Sequence, residues 1–213
     1  MKITIDRRGW PGAFVLFCIT LFCFVLKSWF LFALSFALMI CHLAFFRDPV
    51  RSAPEGNGLV SPADGVVVEI SSQWEDRYLK EEAVKVGIFL SIFVPHVNRA
   101  PLAGTVGYQC YELGKFLNAL RKESVNMNES NWIGIEAEGR RVLVRQIAGA
   151  IARRIHWDVK PNQCIERGEK IGIICYGSRV ECFFPKRFFL PTVQIGESVK
   201  AGGTILGEWT HGS

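Results

Sequence analysis

The sequence lacks the cysteine patterns that hold metal ions or disulfide frameworks. Its seven cysteines include no pair at CxxC spacing, and their number is odd. Cys18, Cys23 and Cys41 lie in an apolar segment, where a thiol acts as a small hydrophobic side chain. This usage favours reduced thiols facing a cytoplasm, and we expect no metal cofactor.

Histidine is also scarce, and the four present limit the choice of a general base. His42 falls in the apolar segment and His211 in the C-terminal tail, which leaves His96 and His156. His96 follows the apolar run VGIFLSIFV, at a place where a loop leaves a predicted strand. His156 lies in RRIHWDV, a predicted strand, where it can be a packed or half-exposed side chain. The residues favour His96 and leave His156 open.

Charged residues are almost absent between residues 13 and 46, where only Lys27-Ser28 and His42 interrupt the apolar run. A single helix of this length would exceed a hydrocarbon core of roughly 30 Å. Basic residues flank the run on both sides, which favours a hairpin with both ends on the cytoplasmic side over one span. We do not expect a secretory signal, because the run is too long and no small-residue cleavage site follows. We therefore expect residues 1–46 to be an N-terminal membrane anchor.

Residues 47–213 predict a mainly β domain. Short apolar runs separated by turn residues are typical of a sandwich or barrel. The segments IERGEKI and IGESVKAGGTI form a weak repeat, and such turns recur in lipoyl and biotinyl carrier domains. A carrier also needs a lysine beside methionine at a hairpin tip, and no such pair occurs. The predicted fold class is a lipoyl- or hammerhead-like β-sandwich or barrel behind an apolar helical membrane segment.

Two short motifs are weak by themselves. Gly177-Ser178 is a common turn dipeptide, and Asp64 in SPADG precedes a glycine in a turn that leads into a strand. Their value lies in what accompanies them, because six segments of the chain occur in the order found in the phosphatidylserine decarboxylases. In sequence, these segments are FFRDPVR, LVSPADGVV, PHVNRAPLAGTV, VRQIAGAIARRI, YGSRVECFFP and GESVKAGGTILGEW. The chain therefore resembles the short form of that family.

The resemblance implies self-cleavage between Gly177 and Ser178, into a β chain (1–177) and an α chain (178–213) that remain together as a heterodimer. Ser178 would become a pyruvoyl cofactor, without a metal. Asp64 matches the aspartate of the family's self-cleavage triad, and His96 matches the first histidine of its His-x-x-His motif. Arg99 stands where relatives have the second histidine, so the base for self-cleavage is open. Arg99 can instead bind the phosphate or carboxylate of the substrate.

The resemblance further implies a membrane-bound lyase, with its catalytic domain on the cytoplasmic side, that converts phosphatidylserine to phosphatidylethanolamine and carbon dioxide. The substrate amine would form a Schiff base with the pyruvoyl ketone, and His96 would supply the proton. The net charge of +5 suits anionic headgroups, and we expect no nucleic-acid partner. Two alternatives stay open: a non-catalytic, membrane-anchored lipoyl-like adaptor, and a pyruvoyl decarboxylase with another amine-bearing substrate.

The segment FFPKRFFLP (183–191) has two interpretations. Its phenylalanines can dip into lipid while Lys186 and Arg187 meet phosphates, or they can belong to the core around a basic turn.

Overall fold

The computed structural model describes residues 2–114, 127–149, 154–175 and 178–210. The chain forms two compact units, residues 1–50 and residues 51–213. Gly177, on one side of the predicted cleavage site, lies outside the described residues.

The first unit is a pair of helices closed by a small ribbon. Strand β1 (Ile3–Ile5) pairs antiparallel with β2 (Arg47–Pro49), and helices α1 (Gly9–Val25) and α2 (Trp29–Phe45) lie between them in the chain. The two helices approach closely where the His42 imidazole donates a hydrogen bond to the Gly9 carbonyl at 2.9 Å. A Cβ at Gly12 would lie 2.5 Å from the His42 ring, so only glycine fits there.

The predicted N-terminal membrane segment is wrong. Each helix has 17 residues, and no helix among the described residues is both long and apolar enough to cross a membrane. The physical reason lies at Lys27, whose φ of 56° is left-handed and ends the first helix. Each helix is consequently about 26 Å long, shorter than a hydrocarbon core of roughly 30 Å.

The second unit is built almost entirely of short antiparallel strands, which confirms the β part of the predicted fold class. Its strands are β3 (Leu59–Val60), β4 (Gly65–Glu75), β5 (Glu81–Leu90), β6 (Val97–Arg99), β7 (Gly104–Glu112), β8 (Ser130–Ala137), β9 (Arg140–Ile147), β10 (Ile155–Trp157), β11 (Cys164–Ile165), β12 (Lys170–Ile174), β13 (Ser178–Pro185), β14 (Phe189–Pro191), β15 (Ser198–Val199) and β16 (Ile205–Trp209).

Eight of these strands form one large sheet in the order β11-β7-β8-β9-β13-β5-β4-β15. Two three-stranded sheets accompany it, in the orders β10-β12-β6 and β14-β16-β3. Strand β13 illustrates how side chains alternate between the two faces. Its residues Val180, Cys182 and Phe184 belong to the main core, whereas Phe183 belongs to a second, smaller cluster on the other face.

The two G-E segments of the weak repeat form the same turn. Gly168 and Gly196 have φ values of 81° and 93°, a region that glycine adopts without steric cost. In the first turn the Glu169 carboxylate accepts the Glu166 N–H at 2.7 Å, and in the second the Glu197 carboxylate accepts the Gln194 N–H at 3.0 Å. The repeat therefore reflects two chemically equivalent turns.

The segment 183–191 follows the core interpretation. Phe183, Phe184 and Phe189 are buried, and the basic pair occupies a single 3₁₀ turn over Lys186–Phe188. Lys186 binds Glu82 at 2.9 Å and Arg187 binds Glu81 at 3.1 Å.

Candidate active site

Strand register places Ser178 and Asp64 near the same end of the large sheet. Ser178 begins β13 and pairs with Leu90, the last residue of β5. On the other side of β5, Val66 pairs with Phe89, two residues after Asp64. Since neighbouring strands lie about 4.8 Å apart, the backbones that carry Ser178 and Asp64 are separated by about two strand spacings.

The Ser178 side chain points into the core rather than toward solvent. It shares a face of β13 with Val180 and Cys182, and its exposed fraction is 0%. Within the described residues, its hydroxyl has no hydrogen-bond partner. A buried hydroxyl without a partner is unfavourable, so this serine is unlike an ordinary turn serine.

His96 is also fully buried. Strand β5 ends at Leu90, earlier than the sequence suggested, and a turn precedes His96. The His96 Nδ1 lies 2.8 Å from the Val94 carbonyl oxygen. Because a carbonyl oxygen can only accept, Nδ1 carries the hydrogen, and Nε2 of the neutral ring is the basic nitrogen.

The backbone of His96 is tied to the strand that leads toward Ser178. The N–H of Ile174, at the end of β12, donates to the His96 carbonyl at 3.3 Å. Ile174 precedes Ser178 by four positions, so the two candidates lie on connected segments. The alternative histidine, His156, is half-buried on β10, where it pairs with Ile173.

Asp64 is held by an arginine that sequence reasoning treated only as a flanking charge. Arg51 donates to both carboxylate oxygens of Asp64, at 2.7 and 2.8 Å, and also to the Ala201 carbonyl at 3.0 Å. The two side chains are only 13% and 9% exposed, and such a fork-to-fork pair fixes the carboxylate in place. The signal in the sequence was the position of Arg51 at the end of FFRDPVR.

Arg99 lies on β6 next to Asn98, and because successive side chains of a strand point to opposite faces, the two residues have different surroundings. Asn98 is fully buried, whereas Arg99 is half-buried and donates to the Gly168 carbonyl at 2.9 Å. The same side chain passes Gly202, where an added Cβ would lie 3.0 Å from the Arg99 Cδ. Its guanidinium is thus directed to the turn at Gly168, and substrate binding by Arg99 stays a prediction.

An ion network crosses the opposite face of the sheet at β4, β5, β9 and β13. Arg179 binds both Glu69 and Glu181, Lys85 binds Glu69 at 3.0 Å, and Arg145 binds Glu181 at 3.4 Å. Burial would raise the pKa of Glu69, but hydrogen bonds and charges from Lys85 and Arg179 outweigh it and lower that pKa from 4.5 to about 2. The network anchors the residue that directly follows Ser178.

Comparison with known proteins identifies the family. A sequence model described as phosphatidylserine decarboxylase matches residues 38–207. A relative from Carboxydothermus hydrogenoformans, named phosphatidylserine decarboxylase proenzyme, is 46% identical over 175 residues, or 82% of each chain. The chain belongs to the phosphatidylserine decarboxylase family.

Two further relatives of this family match most of the chain. The phosphatidylserine decarboxylase proenzyme of Syntrophus aciditrophicus is 40% identical over 208 residues, which is 95% of this chain and 96% of the relative. That of Cereibacter sphaeroides is 46% identical over 172 residues, or 78% of this chain and 73% of the relative. The resemblance seen in the sequence motifs is therefore confirmed, and the matched region 38–207 contains every candidate site residue.

Proposed function

We propose that this protein is a phosphatidylserine decarboxylase that cuts its own chain between Gly177 and Ser178 and then converts phosphatidylserine to phosphatidylethanolamine and carbon dioxide. One observation carries the proposal within a chain of this family: the fully buried Ser178 hydroxyl, which has no partner among the described residues. Family membership also favours an enzyme over a non-catalytic adaptor.

Self-cleavage begins with the Ser178 hydroxyl. Its Oγ attacks the carbonyl carbon of residue 177 while a base takes its proton. The base passes this proton to the Ser178 nitrogen as the peptide C–N bond breaks, which leaves an ester and a free amine. Loss of the Ser178 α-proton then breaks the Cβ–O bond, which releases a carboxylate at residue 177 and leaves dehydroalanine. Hydrolysis of the dehydroalanine yields a ketone and ammonia.

His96 is the base that we assign to this attack. Its Nδ1 hydrogen bond to Val94 leaves Nε2 as the basic nitrogen, and its buried position removes competing water. Arg51 holds the Asp64 carboxylate through both oxygens, so we assign Asp64 an electrostatic role at this end of the sheet. Arg99, directed to Gly168 in this structure, remains our candidate for the phosphate or carboxylate of the substrate.

The buried position of Ser178 also fits the pyruvoyl group that we propose to form there. A pyruvoyl group supplies a ketone that condenses with a primary amine and draws in the electron pair released as carbon dioxide leaves. The apolar neighbours Val180 and Leu90 exclude water from that position. His96 would take a proton at Nε2 from the substrate ammonium before the amine condenses, and would return that proton to the α-carbon after carbon dioxide has left.

The proposed substrate is a membrane lipid, so the catalytic unit must work at a membrane surface. We place this unit on the cytoplasmic side. Among the described residues, none of the seven cysteines forms a disulfide, which suits a reducing compartment.

Mass spectrometry of the purified protein, with an assay of carbon dioxide release from phosphatidylserine vesicles, tests the proposal. The natural protein should yield chains 1–177 and 178–213, the second with a blocked N-terminus. Ser178→Ala should yield one full-length, inactive chain, whereas the exposed control Ser198→Ala should mature normally. Cleavage after residue 177 in Ser178→Ala, or a natural protein that releases no carbon dioxide, would overturn the assignment.

A further inference from the structure

Three buried amides form a hydrogen-bonded ladder inside the second unit. The Asn131 Nδ2 donates to the Gln146 Oε1 at 2.8 Å, and the Gln146 Nε2 donates to the Asn98 Oδ1 at 2.7 Å. Each of the three side chains is 0% exposed. Gln146 bridges the other two amides, so the orientation of each amide depends on that of its hydrogen-bond partner.

The two ends of this amide ladder are unsatisfied. Within the described residues, neither the Asn98 Nδ2 nor the Asn131 Oδ1 has a hydrogen-bond partner. One end is a donor and the other is an acceptor. Buried polar atoms without partners are costly and uncommon in folded proteins, so a pair of opposite kind on one ladder calls for an explanation.

The amide ladder faces the same interior as Ser178. Gln146 pairs with Val180, which lies on the same face of β13 as Ser178 and two positions after it. Diagonal neighbours on one face of an antiparallel sheet are about 7–8 Å apart, within reach of long side chains. A small molecule attached at residue 178 would therefore contact the region of the ladder.

A buried carboxylate extends the amide ladder toward Ser178. Glu129 is 3% exposed, and its backbone carbonyl accepts the N–H of Ala148, two residues beyond Gln146 on the neighbouring strand. Its carboxylate accepts the Ile155 N–H at 3.2 Å and the hydroxyl of Tyr111. Glu129 and Asn131 are two positions apart and share a face, so both present acceptors to the same interior.

We propose that the amide ladder and Glu129 form the subsite for the serine headgroup of the substrate, an inference that rests on the proposed function. The Asn131 Oδ1 and the Glu129 carboxylate accept hydrogen bonds from the headgroup ammonium. The Asn98 Nδ2 donates to the headgroup carboxylate. The presence of both a donor and acceptors matches an α-amino acid, whereas a phosphate would require donors alone.

A neutral amide also suits a carboxylate that must leave. The carboxylate loses its negative charge as carbon dioxide forms. A partner that strongly stabilised this charge would therefore stabilise the bound substrate more than the transition state and slow decarboxylation. Asn98 orients the carboxylate with a neutral hydrogen bond, which is weaker than the ion pair that arginine would make. Of the two roles proposed for Arg99, binding the phosphate is therefore the one compatible with this subsite.

The test compares two ligands that differ in the carboxylate alone, phosphatidylserine as substrate and phosphatidylethanolamine as product inhibitor. Asn98→Asp removes the donor and adds a negative charge. The variant should mature into two chains, raise KM for phosphatidylserine about tenfold, and leave inhibition by phosphatidylethanolamine within about twofold. Asn131→Leu should weaken the binding of both phosphatidylserine and phosphatidylethanolamine, since both carry the amine that Asn131 is proposed to bind. The exposed Asn57→Asp serves as the matched control.

Each outcome decides the inference separately from the proposed function. If the natural protein releases no carbon dioxide, the proposed function is wrong, and the headgroup subsite that rests on it is overturned as well. If the natural protein is active and Asn98→Asp binds both ligands normally, only the headgroup subsite is overturned. Should Asn98→Asp fail to mature, Asn98→Ser repeats the measurements without a buried charge, and failure of both to mature would assign Asn98 a structural role instead.

Discussion

At the scale of single residues, the environment of a side chain matters more than its type. Ser178 and His96 are both fully buried, although serine and histidine at turns are usually solvated. For His96 the environment also selects the protonated nitrogen, because the Val94 carbonyl can accept only from Nδ1–H. The geometry thus selects the tautomer of the neutral ring in which Nε2 is the basic nitrogen.

Replacing His96 by glutamine tests that role. Glutamine can still donate to the Val94 carbonyl, but it cannot exchange a proton. We expect His96→Gln to lower decarboxylation by about 10²- to 10⁴-fold and to slow self-cleavage, as followed by carbon dioxide release and by the fraction of two-chain protein with time. His156→Gln, at the half-buried histidine on β10, should behave as the natural protein does. Normal rates in His96→Gln would rule out His96 as the proton carrier.

At the scale of secondary-structure elements, strands β4, β5 and β13 are joined by charge as well as by hydrogen bonds. Glu69, Lys85 and Arg179 come from these three adjacent strands and form ion pairs across one face. On the opposite face the same strands supply Val67, Ile88 and Val180 to the main core. The sheet around Ser178 is therefore stabilised by ion pairs on one face and by core packing on the other.

The lowered pKa of Glu69 makes this part of the sheet sensitive to acid. Because the pKa falls from 4.5 in the unfolded chain to about 2 in the folded one, ionised Glu69 stabilises the fold fully above pH 4.5. That contribution is lost as the pH falls toward 2. Urea unfolding in the single-chain Ser178→Ala background should therefore show a smaller loss of stability over this interval for Glu69→Gln than for the parent. Equal losses would contradict the ion-pair assignment.

At the scale of the whole molecule, cleavage before Ser178 would cut the chain immediately before the first residue of β13, a strand in the middle of the large sheet. All eight residues of β13 pair with β5, and Arg179–Phe183 also pair with β9. The α chain would further contribute β14 to β16, which pair with β3 and β4 or with each other. Such a cut would break none of these ladders, and the packing of the core would be unchanged.

The two chains should therefore stay together without a covalent link. We expect chains 1–177 and 178–213 to co-elute in size-exclusion chromatography under native conditions, and to separate only in a denaturant such as guanidinium chloride. The uncleaved Ser178→Ala protein provides the elution reference. Loss of the smaller chain during native chromatography would show that the ladders of β13 do not hold it.

Prediction from the sequence succeeded where local patterns carry the information. The apolar runs around Val86, Val144 and Val180 are strands, and the glycines of the two G-E segments adopt the left-handed turn that glycine favours. The membrane segment was wrong although the run does break at Lys27, where the sequence is interrupted. Neither of the two resulting helices is both long and apolar enough to cross a membrane. The short strand β6 was missed, because three residues provide too little periodicity, whereas β10 lies in RRIHWDV, which was predicted as a strand.

The sequence by itself determined the family, the β class and the position of the candidate serine, since each depends on motifs or on local periodicity. Only the tertiary structure decided that Arg51 clamps Asp64, that Asn98 rather than Arg99 faces the interior, and that Gln146 links Asn98 to Asn131. In the sequence, the one local sign of this ladder is that Gln146 continues the alternation of the core residues Val142 and Val144, which places its side chain on the buried face of the strand. Such contacts join residues far apart in the chain, and strand register, which the whole core fixes, determines which of them meet.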